Sequence, residues 1–199
     1  MRFVFLGPDG AGKSSVIAGL MASLSSAGID AGMRHLKPRM VATLRGQQVT
    51  IVTDPHGKPP RGAFASMVKI GIWLGEEWYA RWFTEKNDVL VCDRYYHDLL
   101  VDPVRYRFGA PIWLARLFGK FMPQPRLWIL LNAPPEVLQA RKQEVTPEET
   151  ARQCAAYLHF VQTQRRHVIV DASQPLERVI ADVTDAVTAA IALGPISNG

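Results

Sequence analysis

Short apolar runs alternate with helix-like patterns along most of this 199-residue chain. The runs have the length of buried strands, and they predict strands over residues 2–6, 30–36, 89–93, 127–131 and 167–171. Between them, a period close to that of a helix covers residues 13–27, 63–86, 134–142, 146–165 and 176–193. This alternation is typical of a parallel sheet with helices on both faces. The predicted fold class is therefore α/β.

Local signals support the helix boundaries. The helix at 134–142 begins at prolines, which favour a first helical position. Thr146 followed by Glu149 forms a capping box for the next helix. A shorter apolar segment over 113–121 is compatible with an amphipathic helix at a membrane interface, but a helix that faces the core is the preferred prediction. The stripe of tryptophans at 73, 78 and 82 has helical spacing and is interpreted as core packing.

A glycine-rich segment follows the first predicted strand directly. Residues 7–14 read G-x-x-x-x-G-K-S, and a helical pattern begins at Lys13. In such a segment backbone N–H groups surround phosphate oxygens, the lysine reaches the β- and γ-phosphates, and the hydroxyl binds Mg²⁺. Because strand and helix both stand where the motif needs them, a nucleoside triphosphate is the predicted ligand. The candidate nucleotide-binding residues here are Gly7, Asp9, Gly10, Ala11, Gly12, Lys13, Ser14 and Ser15.

Composition agrees with a compact protein that binds an anion. The formal net charge is +5, and 48% of the residues are hydrophobic. The charge suits a phosphorylated small molecule, while no basic helix or RNA-binding motif favours nucleic acid. Cys92 and Cys154 predict buried, reduced thiols, as expected in the cytoplasm. Neither a signal peptide nor a membrane span is expected.

Polar residues also stand at the ends of later predicted strands, where open α/β sheets bind ligands. Asp93 ends the run at 89–93, and Arg94 follows it directly. Asp93 can hold Mg²⁺ opposite Ser14, and Arg94 presents a planar fork to a phosphate. A Pro-Pro-Glu-Val turn follows the fourth strand, and Asp-Ala-Ser at 171–173 follows the fifth.

Together these segments resemble the thymidylate kinase family of nucleoside monophosphate kinases, over residues 1–38 and 87–193. The resemblance implies a P-loop NTPase fold, with a five-stranded parallel sheet, helices on both faces and a short lid. It implies ATP and Mg²⁺ as cofactors and transfer of the γ-phosphoryl group to a small anionic acceptor. One domain is expected over 1–194, with a frayed tail at 195–199.

The resemblance also implies roles for individual residues. Asp9 contacts the sugar of the acceptor, and Arg94 holds the acceptor phosphate. A basic lid over 141–152 begins at Arg141, with Lys142 or Arg152 assisting. Ala172 and Ser173 line the adenine pocket. The implied catalytic residues are Lys13, Arg94 and Arg141, and the implied metal ligands are Ser14 and Asp93.

The acceptor-binding half departs from the family pattern. Leu36 and Lys37 stand where the family has Arg-Glu before Pro-Gly, and Lys69 and Trp73 stand near the positions of the Phe and Arg that bind thymine. A basic loop over 39–61 is predicted to be mobile on the acceptor side. The candidate acceptor-binding residues are Asp9, Lys37, Arg94, His97 and Asp98.

These departures leave the acceptor open. The expected acceptor is a nucleoside monophosphate similar to thymidine monophosphate, or another small anionic molecule. The alternative is a sugar or glycan intermediate. A non-catalytic nucleotide-binding regulator is a further alternative, and a homodimer is also left open.

Overall fold

A computed structural model describes residues 1–35, 59–84, 87–143 and 145–194. The candidate acceptor residue Lys37, the tail at 195–199 and most of the predicted loop at 39–61 lie outside the described residues.

Five strands of the described chain form one sheet in which every neighbouring pair is parallel. They are β1 Arg2–Leu6, β2 Ala31–His35, β3 Val89–Asp93, β4 Leu127–Asn132 and β5 His167–Asp171. Their order across the sheet is β2-β3-β1-β4-β5. The prediction of an α/β fold with a five-stranded parallel sheet is confirmed.

Seven α-helices accompany the sheet within the described residues. They are α1 Lys13–Ser26, α2 Ala63–Tyr79, α3 Asp98–Val101, α4 Ile112–Gly119, α5 Pro135–Arg141, α6 Pro147–Gln162 and α7 Leu176–Ala192. A π-helical turn, Ala80–Thr84, follows α2 directly. The N–H of Glu149 donates to the Thr146 hydroxyl at 3.3 Å, which confirms the predicted cap of α6. In the described parts of the chain, no helix is long and apolar enough to span a bilayer.

The chain divides into two compact units, where the sequence predicts one domain. The first comprises Met1–His35, Asn87–Tyr95 and Gln124–Gly199, and it contains the whole sheet with α1, α5, α6 and α7. The second comprises Leu36–Lys86 and Tyr96–Pro123, and it contains α2, α3, α4 and the π-helical turn. We call these the sheet unit and the helical unit.

Different helices cover the two faces of the sheet. Phe5 of β1 and Ile129 of β4 are buried in one core with Ile17 of α1. The neighbouring residue Trp128 points to the opposite face, because side chains alternate along a strand. There its ring lies 5.3 Å from that of Phe160 in α6, edge to face. Helices on both faces are therefore confirmed.

The helical unit buries some of its large apolar residues and exposes others. Of the predicted tryptophan stripe, Trp73 is 3% exposed, whereas Trp82 is 71% exposed. The stripe is therefore core packing only in part.

The α4 helix corrects the prediction for residues 113–121. The helix is present, but Ala115 and Gly119 face inward while Trp113 is 60% exposed. A Cβ on Gly119 would lie 3.2 Å from His97 Nε2, so this side of α4 has no room for a large residue. Close packing on small residues thus turns the large apolar side chains outward.

Candidate functional site

The glycine-rich segment at 7–14 links β1 to α1 and owes its path to glycine. The φ angles of Gly7 and Gly10 are +142° and +84°, which residues with a side chain rarely adopt. A Cβ would lie 2.6 Å from the Leu131 carbonyl oxygen at Gly7, and 2.8 Å from that of Leu138 at Gly10. Backbone packing and conformation both require glycine at these positions.

Lys13 is buried against this segment, with 8% of the residue exposed. Its ammonium donates hydrogen bonds to the carbonyl oxygens of Gly7 and Pro8, each at 2.7 Å. Gly12 begins α1 as its N-cap, with a φ of +77°, and no described atom would contact a Cβ there within 4 Å. The segment therefore places one ammonium beside the positive end of a long helix.

A pocket of about 190 Å³ adjoins the segment. It is lined by Gly10, Ala11, Gly12, Ser15, Val16, Arg141, Ala172, Gln174, Leu176 and Val179. Arg141 Nη1 donates to the Ala172 carbonyl oxygen at 2.7 Å, which fixes the guanidinium at the pocket wall. Residues predicted from two distant stretches of sequence, the glycine-rich segment and the loop after β5, thus meet at one pocket.

Ser173 shapes the loop after β5 and is not part of the pocket lining. Its N–H and its hydroxyl donate to Asp171 Oδ1 at 2.9 and 2.5 Å. These hydrogen bonds, led by that of the hydroxyl, lower the pKa of Asp171. This is an Asx turn, in which the Asp side chain accepts a hydrogen bond from the backbone N–H two residues later. Ser173 thereby holds the loop that carries Ala172.

Asp9 and Arg94 form an ion pair in the sheet unit, with 2.6 Å between Oδ1 and Nη2. Arg94 Nη1 also donates to the Tyr157 hydroxyl at 3.1 Å. The φ of Arg94 is +66°, a conformation that costs a non-glycine residue roughly 1 kcal/mol. Such strain is concentrated at functional sites, where the surrounding structure maintains it. The structure therefore brings two predicted acceptor residues together and gives one of them a strained backbone.

Asp93 ends β3 with a buried carboxylate. One oxygen, Oδ2, lies 2.9 Å from His35 Nδ1. The other, Oδ1, has no hydrogen-bond partner in the described part of the chain. A buried carboxylate oxygen is costly unless a donor or a cation satisfies it. Sequence reasoning does not predict the His35 partner, because the contact depends on the pairing of β2 with β3.

The residues around Asp93 fit Mg²⁺. This ion takes oxygen ligands and usually keeps several positions for water and substrate phosphates, so one or two protein groups are enough. No group of three or more His, Cys, Asp or Glu that could hold a metal occurs within residues 1–35, 59–84, 87–143 and 145–194. Asp93 offers an unsatisfied carboxylate oxygen, and Ser14 presents an exposed hydroxyl; both are the kind of oxygen donor that this ion takes.

His97 and Asp98 are buried inside the helical unit. The Tyr106 hydroxyl donates to Asp98 Oδ2 at 2.6 Å, and Asp98 is fully buried. The His97 ring packs edge to face on Tyr96, with 5.7 Å between centroids. Burial lowers the pKa of His97 to about 4, so the imidazole is neutral at neutral pH. Both predicted acceptor residues thus belong to the interior of their unit.

The buried imidazole predicts a loss of stability in acid. The pKa of His97 is 6.5 in the unfolded chain and about 4 in the folded one, so the unfolded state binds more protons between these values. We expect the free energy of unfolding to fall as pH falls from about 6.5 towards 4, and the fall to be smaller in His97→Gln. Urea unfolding at a series of pH values measures this, with the exposed His159→Gln as control. An unchanged slope in His97→Gln would contradict the prediction.

Most of the predicted site residues lie in the sheet unit, in loops or helices that follow the carboxyl ends of its strands. Lys13, Arg94 and Arg141 come after β1, β3 and β4 respectively. Parallel sheets of this kind bind ligands at that edge. In comparisons with known proteins, no family model matches this chain and no curated protein matches its sequence.

Proposed function

We propose that this protein is an ATP-dependent phosphotransferase that transfers the γ-phosphoryl group to a small anionic acceptor. The observation that carries the proposal is the geometry of residues 7–14. The segment turns at Gly7 and Gly10, where a side chain would collide with backbone oxygens, and it buries Lys13. Its residues 10–12 line a pocket together with Arg141 and Ala172. A phosphate cradle beside a pocket is what a nucleoside triphosphate needs.

Phosphoryl transfer requires positioning and charge stabilisation more than covalent chemistry from the protein. In the proposed reaction, the Lys13 ammonium exchanges its two backbone carbonyl partners for phosphate oxygens. Arg141 acts from the wall of the pocket. Ser14 and Asp93 hold Mg²⁺, which neutralises phosphate charge when it is bound.

The basic residues of the predicted lid are Arg141, Lys142 and Arg152, and of these Arg141 lines the pocket. Within the range 141–152, α6 begins at Pro147, and Arg152 is paired with Glu149 at 2.7 Å on the first turns of that helix. A direct role for Arg152 would require this pair to open. We therefore assign the lid's contribution to Arg141, and closure of the lid remains a prediction.

Arg94 and Asp9 are the proposed acceptor ligands. The guanidinium fork of Arg94 suits a phosphate, and the Asp9 carboxylate suits a hydroxyl. A phosphate acceptor needs no general base, because its oxygen is already ionised near neutral pH. For a hydroxyl acceptor Asp9 is the better candidate base, since Asp98 is fully buried and accepts a hydrogen bond from Tyr106. We place the reaction in the cytoplasm, in keeping with two buried free thiols.

An ADP-release assay with ATP and Mg²⁺ tests the proposal against nucleoside monophosphates, nucleosides, and phosphorylated or acidic sugars. We expect one acceptor class to raise ADP release above the acceptor-free rate. Thymidine monophosphate is expected to be a poor acceptor, because Lys69 and Trp73 stand near the positions where the family has its thymine-binding pair.

Two outcomes would change this conclusion. If ATP binds but no acceptor raises ADP release, the protein is a nucleotide-binding regulator and the kinase proposal is wrong. If thymidine monophosphate reacts with a kcat/KM on the order of 10⁵ M⁻¹s⁻¹ or higher, the ordinary family activity applies.

A further inference from the structure

A second charged cluster lies entirely within the helical unit, and the proposed function assigns nothing to it. Its centre is Lys69 of α2, whose ammonium donates to the Tyr106 carbonyl oxygen at 2.9 Å. The ammonium lies 4.6 Å from the centroid of the Trp73 ring and 5.5 Å from that of Tyr106. Burial and then the positive charges of Arg61 and Arg107 lower the pKa of Lys69 to about 8. Among the described residues, the charged neighbours that act on this lysine are therefore cations.

Backbone contacts hold the two arginines near Lys69. The N–H of Arg61 donates to the Arg107 carbonyl oxygen at 3.0 Å. The N–H of Gly109 donates to the Ser66 hydroxyl at 3.0 Å. A Cβ on Gly109 would collide with the Arg61 carbonyl oxygen, so only glycine allows the two segments to approach this closely. The fold thus holds the backbone segments that carry Arg61 and Arg107 against each other and beside α2.

Arg107 has a strained backbone as well. Its φ is +51°, in the region that favours glycine, and its Nε donates to the Pro59 carbonyl oxygen at 2.9 Å. Strained residues are concentrated at binding and switch sites, where a ligand makes use of the geometry. Like charges held together also oppose folding unless an anion compensates them.

The described carboxylates do not compensate this cluster. None of them forms an ion pair with Arg61, Lys69 or Arg107. The carboxylate of Asp98 is engaged by the Tyr106 hydroxyl.

We propose that Arg61, Lys69 and Arg107 form a site for an oxyanion, such as a phosphate, sulfate or carboxylate group. Two guanidinium forks and one ammonium supply charge-assisted donors for such a group, and the Trp73 ring supplies a flat apolar wall beside it.

Titration of the 199-residue protein with inorganic sulfate, phosphate and acetate, followed by amide NMR signals, tests the site. We expect saturable shifts at the amides of Arg61, Lys69 and Arg107. The relative affinities of the three probes distinguish a tetrahedral oxyanion site from a carboxylate site. Signals of Gly10 and Gly12 report anion binding at the glycine-rich segment separately. Failure of the proposed nucleotide site is therefore distinguishable from failure of this one.

Substitutions decide whether the cluster is responsible. Lys69→Met removes the charge at similar length and should weaken binding about tenfold or more, whereas Lys69→Arg should retain it. The matched control is Lys120→Met, an exposed lysine of the same unit. If Lys69→Met does not fold, Arg61→Met takes its place, because Arg61 is an exposed residue of the same cluster. Shifts that do not saturate, or that persist unchanged in Lys69→Met or its replacement, would overturn the proposal.

Discussion

We expect Lys13→Ala to lower turnover by ~10²-fold or more while the fold persists, which corresponds to ~3 kcal/mol of lost charge stabilisation. The substitution removes the one ammonium that the structure buries within the glycine-rich segment, where it donates to the carbonyl oxygens of Gly7 and Pro8. In the proposed reaction, that cation lies where charge develops on the transferred group. ADP release with the best acceptor of the screen measures the loss.

The control for this prediction is Lys120→Ala, which removes an exposed lysine of the helical unit and should leave activity unchanged. Urea unfolding of Lys13→Ala checks that the protein still folds, since two buried hydrogen bonds disappear with the side chain. A Lys13→Ala protein that folds normally and retains wild-type activity would show that the glycine-rich segment does not bind the transferred phosphate.

The sheet could be predicted from the sequence almost residue by residue. Central parallel strands are buried on both faces, so they appear as continuous apolar runs with sharp ends. The bounds of the central strands β1 and β3 agree with the predicted ranges, and β4 extends one residue further, to Asn132. The bounds of the edge strand β5 also agree, although it is only partly buried.

The ends of helices and the shortest helix could be predicted less accurately from the sequence. The pattern over 63–86 predicts one helix, whereas α2 ends at Tyr79 and a π-helical turn occupies Ala80–Thr84. Such a turn adds one residue to the repeat, and a short pattern does not separate it from an α-helix. The single turn α3, Asp98–Val101, is too short to show a period at all.

The site could be predicted where its residues are local in sequence, as in the segment at 7–14. It could not be predicted where contacts join residues that are distant in the sequence. The pairing of His35 with Asp93 depends on strand register, and the contact of Arg94 with Tyr157 depends on the packing of α6. The backbone strain at Arg94 and at Arg107 has no signal in composition or spacing. The cluster around Lys69 depends on two loops that meet only in the fold.

The largest effect is expected for Arg94→Met, a fall in kcat/KM of ~10³-fold, as for arginines that bind a phosphoryl group in transfer reactions. Its guanidinium is held on two sides, by Asp9 at 2.6 Å and by the Tyr157 hydroxyl at 3.1 Å. Its left-handed backbone indicates that the position is maintained at a cost in stability. In the proposed reaction this fork binds the acceptor, so KM for the acceptor should rise while KM for ATP stays nearly constant.

Two further variants separate binding geometry from charge. Arg94→Lys keeps the charge but loses the bidentate fork, and we expect it to recover only part of the activity. Tyr157→Phe removes one hydrogen bond to the guanidinium and should cost far less than Arg94→Met, because Asp9 still orients the side chain. Arg116→Met, at an exposed arginine of α4, is the matched control. If Arg94→Met folds and its acceptor KM and kcat equal those of the wild type, the acceptor does not bind at Arg94.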